Sequence, residues 1–167
     1  GGIGSGIPSL GGEHIGKDGK LFLETIKYVP FEFYENANRG ILQPNDVLIC
    51  KDGALTGKVA ITPNPMPFEK AMINEHVFRL IANDLIMQKY LFIFLYSENG
   101  QSLLKSNITG QAQGGINSTN LLNIQIPVPP KEIQQKIVAE IEEIEKKENE
   151  SLNKIEKLNS EIFEELQ

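Results

Sequence analysis

The side chains able to do chemistry are few and scattered. Two histidines, His14 and His76, each follow a glutamate and stand 62 residues apart. A zinc site needs three or four His, Cys or carboxylate ligands at close range, and Cys50 is the one cysteine beside them. These residues predict no metal; a histidine in such a setting hydrogen-bonds within a loop or sits satisfied in a core. Cys50 ends the run Val47-Leu48-Ile49-Cys50, where a thiol reads as a small buried hydrophobe. The segment Asp52-Gly53-Ala54-Leu55-Thr56-Gly57-Lys58 imitates a phosphate-binding loop. Asp52 stands where the first glycine is required, however, and Val59 follows the lysine in place of Ser or Thr. Gly4 and Gly6 meet Ser9 where a dinucleotide fingerprint needs its last glycine. No serine occupies a nucleophile elbow. Pro129-Pro130, between Val128 and Lys131, does not make the Asn-Pro-Pro-aromatic motif of an adenine methyltransferase. The sequence predicts no catalysis and no cofactor.

Recognition chemistry remains. Four polar stretches stand out, three of them carrying glycines: Gly11-Gly12-Glu13-His14, Lys51 to Lys58, Asn74-Glu75-His76 and Thr109 to Asn120. Amide, imidazole, hydroxyl and ammonium groups are those that hydrogen-bond base edges and phosphates. The residues His14, Lys51, Lys58, Asn74, His76, Gln111, Gln113, Asn117, Ser118 and Asn120 are therefore the candidates for contact with DNA. The same composition also describes loops that are simply solvated, or that contact protein. A scaffold or protein-interaction module without DNA binding stays open as the alternative.

The elements that must position these loops are short. Leu21–Leu23 is a candidate strand, and Tyr28–Tyr34, with Pro30 inside it, reads as an extended or edge segment. Asp46–Cys50 is the clearest strand, bounded by Pro44-Asn45 and Asp52-Gly53, and Lys58–Thr62 follows it as a hairpin partner. Three prolines make 63–67 a loop, and Glu75–Ile81 is another strand candidate. Leu85–Ser97 is apolar at most positions and predicts a largely buried helix. Asn99-Gly100 interrupts it, with a resumption over Ser102–Lys105. Ser118-Thr119-Asn120 is placed to cap a short helical turn, and Asn123–Val128 reads as extended. The opening Gly1-Gly2-Ile3-Gly4-Ser5-Gly6-Ile7-Pro8 reads as a loop, an unusual start that predicts further sequence upstream.

Pro129-Pro130 separates this body from a last element. Lys131 to Leu166 holds no Pro or Gly, enough for a helix of roughly 50 Å. Its apolar residues, Ile133, Ile137, Ile141, Ile144, Leu152, Ile155, Leu158, Ile162 and Leu166, follow heptad-like steps broken around Glu148 and Ser151. A body of this size cannot cover the whole stripe. Ile137, Ile141, Ile144, Ile155, Leu158 and Ile162 are thus expected to meet another helix. The fold class predicted is α+β: residues 1–130 as a small β-rich domain with a buried helix, then 131–167 as a long coiled-coil-type helix.

The 167 residues carry 40% hydrophobic and 23% charged side chains, a globular mix too apolar for disorder. The net charge of −6 is concentrated in the tail, where six Lys and eleven Glu follow residue 130. Taken alone the −6 argues against a nucleic-acid binder, but the body, with ten basic and eleven acidic groups, is close to neutral. No apolar run is long enough to span a bilayer and no signal peptide is visible, which together with the single cysteine fits a cytoplasmic location.

The motifs, taken in chain order, resemble one known family. Ile7-Pro8-Ser9-Leu10-Gly11-Gly12-Glu13-His14-Ile15, Asp46 to Gly53 and Thr56-Gly57-Lys58 look like a target recognition domain. Gly110 to Asn117 and Leu122 to Pro130 continue the match, and Glu132-Ile133-Gln134-Gln135-Lys136-Ile137-Val138 resembles the start of a spacer helix. The family is the specificity subunit of type I restriction–modification systems. The resemblance implies a non-catalytic subunit that reads a bipartite site on double-stranded DNA and docks methyltransferase and restriction subunits. It implies two recognition domains and two long helices paired antiparallel. One domain and one helix make this chain look like a fragment or a half-subunit, its helix meeting a second copy or the other half. Methyltransferase subunits would then supply much of the phosphate clamp, which accommodates the near-neutral body.

Overall fold

The computed structural model describes residues 4–109 and 114–165, and they form two compact units, Gly1–Val128 and Pro129–Gln167. Strands β1 (Ile7–Leu10), β2 (Lys27–Val29) and β5 (Met72–Ile73) make one sheet in the order β2-β1-β5. Strands β3 (Val47–Cys50), β4 (Val59–Ile61) and β6 (Val77–Leu80) make a second, in the order β4-β3-β6. Helices α1 (Phe31–Glu35), α2 (Gln88–Tyr96), α3 (Glu98–Ser106) and α4 (Ser118–Leu122) complete the first unit, and α5 (Lys131–Glu165) makes up most of the second. The architecture is α+β.

Strand β3 organises the body. All four of its residues are buried, and alternate side chains point to opposite faces of a strand. Val47 and Ile49 join Leu91, Phe92 and Leu95 of α2 and Leu104 of α3 in one core. Leu48 and Cys50 face the other way, into a core shared with Leu10 of β1, Leu42, Ala60 and Val77. Antiparallel pairing sets Leu48 opposite Ala60 on one side and Arg79 on the other. The β3–β4 hairpin and the β6 strand thus form as the patterning predicts.

Elsewhere tertiary packing overrides local pattern. Leu21–Leu23 forms no strand beyond a single bridge, Ile15 to Leu21; Leu21 and Leu23 pack on the second core as loop residues. The expected extended segment at Tyr28–Tyr34 is β2 followed by α1, which begins directly after Pro30. Proline's fixed φ suits a helix start. Ile7 and Pro8 are in β1 rather than in a loop: Pro8 pairs with Tyr28, and pairing with β5 begins only at Ser9, so no ladder donor is demanded of the proline on that side. Helix α3 runs through Gly100 instead of breaking there. The break falls at Ser97, whose hydroxyl donates to Phe94 O at 2.6 Å and accepts from Gly100 N–H at 3.3 Å. A Cβ at position 100 would collide with Phe94 O, so glycine lets α3 turn back tightly on α2. Asn123–Val128 joins no sheet; its Ile124 and Ile126 pack against the first core.

Helix α5 contains 35 residues, about 52 Å of helix. The i,i+4 pair Glu143–Lys147 closes at 2.7 Å on its surface. Ile144, Leu152, Ile155, Leu158 and Ile162 are 47–59% exposed, and Ile137 and Ile141 half-buried. Leu166 lies outside the described residues.

Candidate nucleic-acid interface

The turn after β3 carries Lys51 and Asp52, and three of the polar loops meet there. Lys51 N–H donates to His76 O at 2.8 Å, and Ile116 N–H donates to Lys51 O at 2.8 Å. Asp52 bridges to Gly115, and Thr56 Oγ1 donates to Gly114 O at 3.0 Å. Reciprocal bonds of 3.0 Å between Thr109 and Gly115 close the base of the third loop. Loops 51–58, 74–76 and 109–120, joined by bonds such as Thr56 to Gly114 across 58 residues of sequence, therefore assemble on one edge of the second sheet.

The side chains on this edge are held but accessible. His76 donates from Nδ1 to Asp52 Oδ1 at 2.8 Å, with Glu75 Oε1 at 3.7 Å from Nε2, and half of its side chain is open to solvent. Asn74 Oδ1 accepts from His76 N–H at 3.0 Å, which leaves its amide NH₂ for a ligand. Lys51 lies over the Phe78 ring at 5.7 Å and reaches Glu75 O at 3.4 Å. Asn117 caps α4 by accepting from Asn120 N–H at 2.8 Å, and Asn120 Nδ2 donates to Asn107 O at 3.3 Å. Ser118 is exposed and Lys58 half-buried. Gln111 and Gln113 lie outside the described residues.

His14 is a correction. It is fully buried, Nδ1 accepts from Gly11 N–H at 2.8 Å and Nε2 therefore donates to Thr25 O at 3.0 Å. With both nitrogens occupied, the ring has nothing left for a base or phosphate; it holds the 11–14 turn to residue 25. Cys50 is buried too, its thiol donating to Asp52 O at 3.3 Å, and burial pushes the thiol pKa up, the reverse of an activated nucleophile. Among the described residues no three His, Cys, Asp or Glu side chains are grouped to hold a metal, and no helix is long and apolar enough to cross a membrane.

Sequence patterning gives no notice of the segment facing this edge. Phe33 and residues 36–40 form the far wall of an open cleft of about 980 Å³ whose near wall includes Lys51, Asn74 and Glu75. The available signal is compositional: Arg39 is one of only two arginines in the chain.

A family model, the Type I restriction modification DNA specificity domain, matches residues 22–160. The chain belongs to this family. Specificity subunits are the non-catalytic components of type I systems. The type I restriction enzyme MjaVIII specificity subunit of Methanocaldococcus jannaschii is 30% identical over 162 residues, 92% of this chain and 38% of that protein. The MjaIX specificity subunit of the same organism is 28% identical over 118 residues, 67% of this chain and 26% of that protein. The chain thus spans well under half the length of these relatives. Among solved structures, the HsdS subunit from Thermoanaerobacter tengcongensis matches with a TM-score of 0.59 at 24% identity, covering 86% of this chain and 31% of that one. A chain from a study of complex assembly and conformational transition of the type I R-M system matches with a TM-score of 0.61 at 23% identity, covering 86% and 32%. At these identities the two structures support the fold.

Proposed function

We propose that residues 1–128 read half of a bipartite double-stranded DNA site, and that α5 is the spacer which joins this half to a second copy or to the rest of the specificity subunit. The observation that carries the reading is the convergence of three distant polar loops on one sheet edge, within a family of DNA specificity domains. Amides and an ammonium supported from beneath suit base edges and phosphates. Asn74, His76, Asn117, Ser118 and Asn120 are the base-facing candidates, with Lys51 and Lys58 on phosphates. In this reading the chain works in the cytoplasm, without a cofactor, beside methyltransferase and restriction subunits that it directs to the site. The near-neutral body needs that company, because non-specific affinity comes from cations facing phosphates.

The test is a panel of single-base variants of the target, bound by the assembled methyltransferase complex across a salt series. Alanine at a base-reading amide should relax preference at one base pair and keep the salt slope. Alanine at Lys51 or Lys58 should weaken all sequences alike and lower the slope by about one unit. Alanines at all five base-facing positions that leave the preference profile intact would overturn the assignment, and binding that ignores sequence and salt would favour the scaffold alternative.

A further inference from the structure

The cleft beside the loop cluster has a second wall, and its chemistry is selective. Helix α1 ends at Asn36, and residues 36–39 read Asn-Ala-Asn-Arg before Gly40. The turn is built in rather than loose. Asn36 Nδ2 donates to Glu32 O at 2.8 Å, which leaves its carbonyl oxygen free to accept. Gly40 takes φ +78°, a conformation that other residues adopt only under strain. Its carbonyl accepts from Ile73 N–H at 2.8 Å, and Ile41 bridges to Met72, so β5 pins the turn from behind.

The two arginines of the chain are used differently. Arg79 is half-buried and ion-paired to Asp46, a carboxylate that also accepts from Gln43 N–H at 2.6 Å inside the hairpin clamp. Arg39 is exposed at the cleft and makes no ion pair or hydrogen bond among the described residues. A guanidinium held on a pinned turn with its fork unused is a recognition group in waiting. Its surroundings choose between the two nucleic-acid targets available to it. Glu32 and Glu75 line the same cleft as Arg39 and Lys51. A track for phosphates would not alternate carboxylates with cations. Base edges present both donors and acceptors, and a mixed set of Arg, Asn and Glu is the complement they need.

We propose that the turn 36–39 is a base-reading element and that Arg39 fixes one guanine of the target, its fork meeting the O6 and N7 acceptors in the major groove. The inference rests on the reading of residues 1–128 as a DNA recognition unit and names a specificity determinant within it. Asn38, exposed beside Arg39, and Asn74 on the opposite wall place amides next to that guanine.

The experiment uses the specificity subunit assembled with its methyltransferase subunit and a duplex pool of randomised sequence. Bound DNA is sequenced across a salt series for the wild type, Arg39→Lys and Arg39→Ala. Both variants should lose preference at one guanine by about 5- to 150-fold and keep it elsewhere. Lysine keeps the charge but not the two-pronged geometry, so Arg39→Lys should retain the wild-type salt slope while losing the guanine. Unchanged thermal melting of both variants separates recognition from folding. If Arg39→Ala weakens every sequence equally and Arg39→Lys restores binding, Arg39 is a phosphate contact and the inference fails. It fails equally if neither variant alters the profile of a wild type that does select sequence. A wild-type complex that enriches no sequence at all is a different result and overturns the DNA-recognition reading itself.

Discussion

Leu48, Ile49 and Leu104 in residues Gly1–Val128 are at most 1% exposed, whereas Ile144, Ile155, Leu158 and Ile162 of α5 leave 47–59% of their surface open. The side chains are chemically alike. In the body, two sheets and two helices surround β3 on both faces, so its apolar groups find partners within the unit. In α5 the stripe repeats, and among the described residues nothing of its own unit covers it. Its charge differs as well, near neutral in the body and −5 after residue 130. The contrast teaches that one part of a chain can bury its apolar groups within itself while a helix of the same chain leaves an apolar stripe open, which in the proposed reading a second helix covers.

The largest expected effect sharpens that contrast directly. Leu104→Ala empties a fully buried position in the first core and should cost about 2–5 kcal/mol of stability, read by chemical denaturation. The double change Ile155→Ala and Leu158→Ala should leave the melting of the body unchanged but weaken association in sedimentation. Covering one such side chain is worth about 1.5–3 kcal/mol. A body that melts earlier in the tail variant, or a tail variant that associates as well as wild type, would break the comparison.

A smaller effect separates the two histidines within the body. His14→Ala leaves the buried Gly11 N–H without its partner and returns the exposed Thr25 carbonyl to water, and should cost about 1–3 kcal/mol for the one buried donor orphaned. His76→Ala, at an exposed site, should change stability by no more than about 0.5 kcal/mol and act instead on DNA binding. Equal loss of stability from both would contradict the division of their roles.

The smallest effect is electrostatic. Lys27 Nζ donates to Glu13 Oε1 at 2.8 Å, and this bond holds the Glu13 carboxyl below the usual range and the Lys27 ammonium above its own. The Glu13 share of stability is present above its unfolded-state pKa and is lost as pH falls through the lower folded-state value. The Lys27 share is present below the ordinary lysine pKa and is lost as pH rises through its folded-state value. Both side chains are well exposed, so Glu13→Gln should flatten the acid side of the stability–pH curve only slightly. An acid side wholly unchanged by Glu13→Gln would show that this bond contributes nothing to the acid dependence.

The residues that act over short sequence distances were legible without coordinates. A dense apolar run flanked by turn residues commits 47–50 to a strand, and β4 follows because the intervening turn is short. Thirty-six positions free of Pro and Gly from Lys131 on predict a long helix, and α5 follows, because local hydrogen bonding satisfies the backbone whatever surrounds it. The polarity of the loops at 51–58, 74–76 and 109–120 marked them for the surface. Their meeting on one edge was decided by long-range bonds such as Thr56 to Gly114, which no window of sequence contains. Tertiary contacts also turned Tyr28–Tyr34 into a strand and a helix, drew Leu21 and Leu23 onto a core as loop, and buried His14. Arg39 became a candidate reader only through the cleft, where the turn that carries it is pinned by β5 and lies beside Lys51 and Asn74. Composition and periodicity report what each residue can satisfy locally; which polar groups remain unspent is settled only when distant partners close around them.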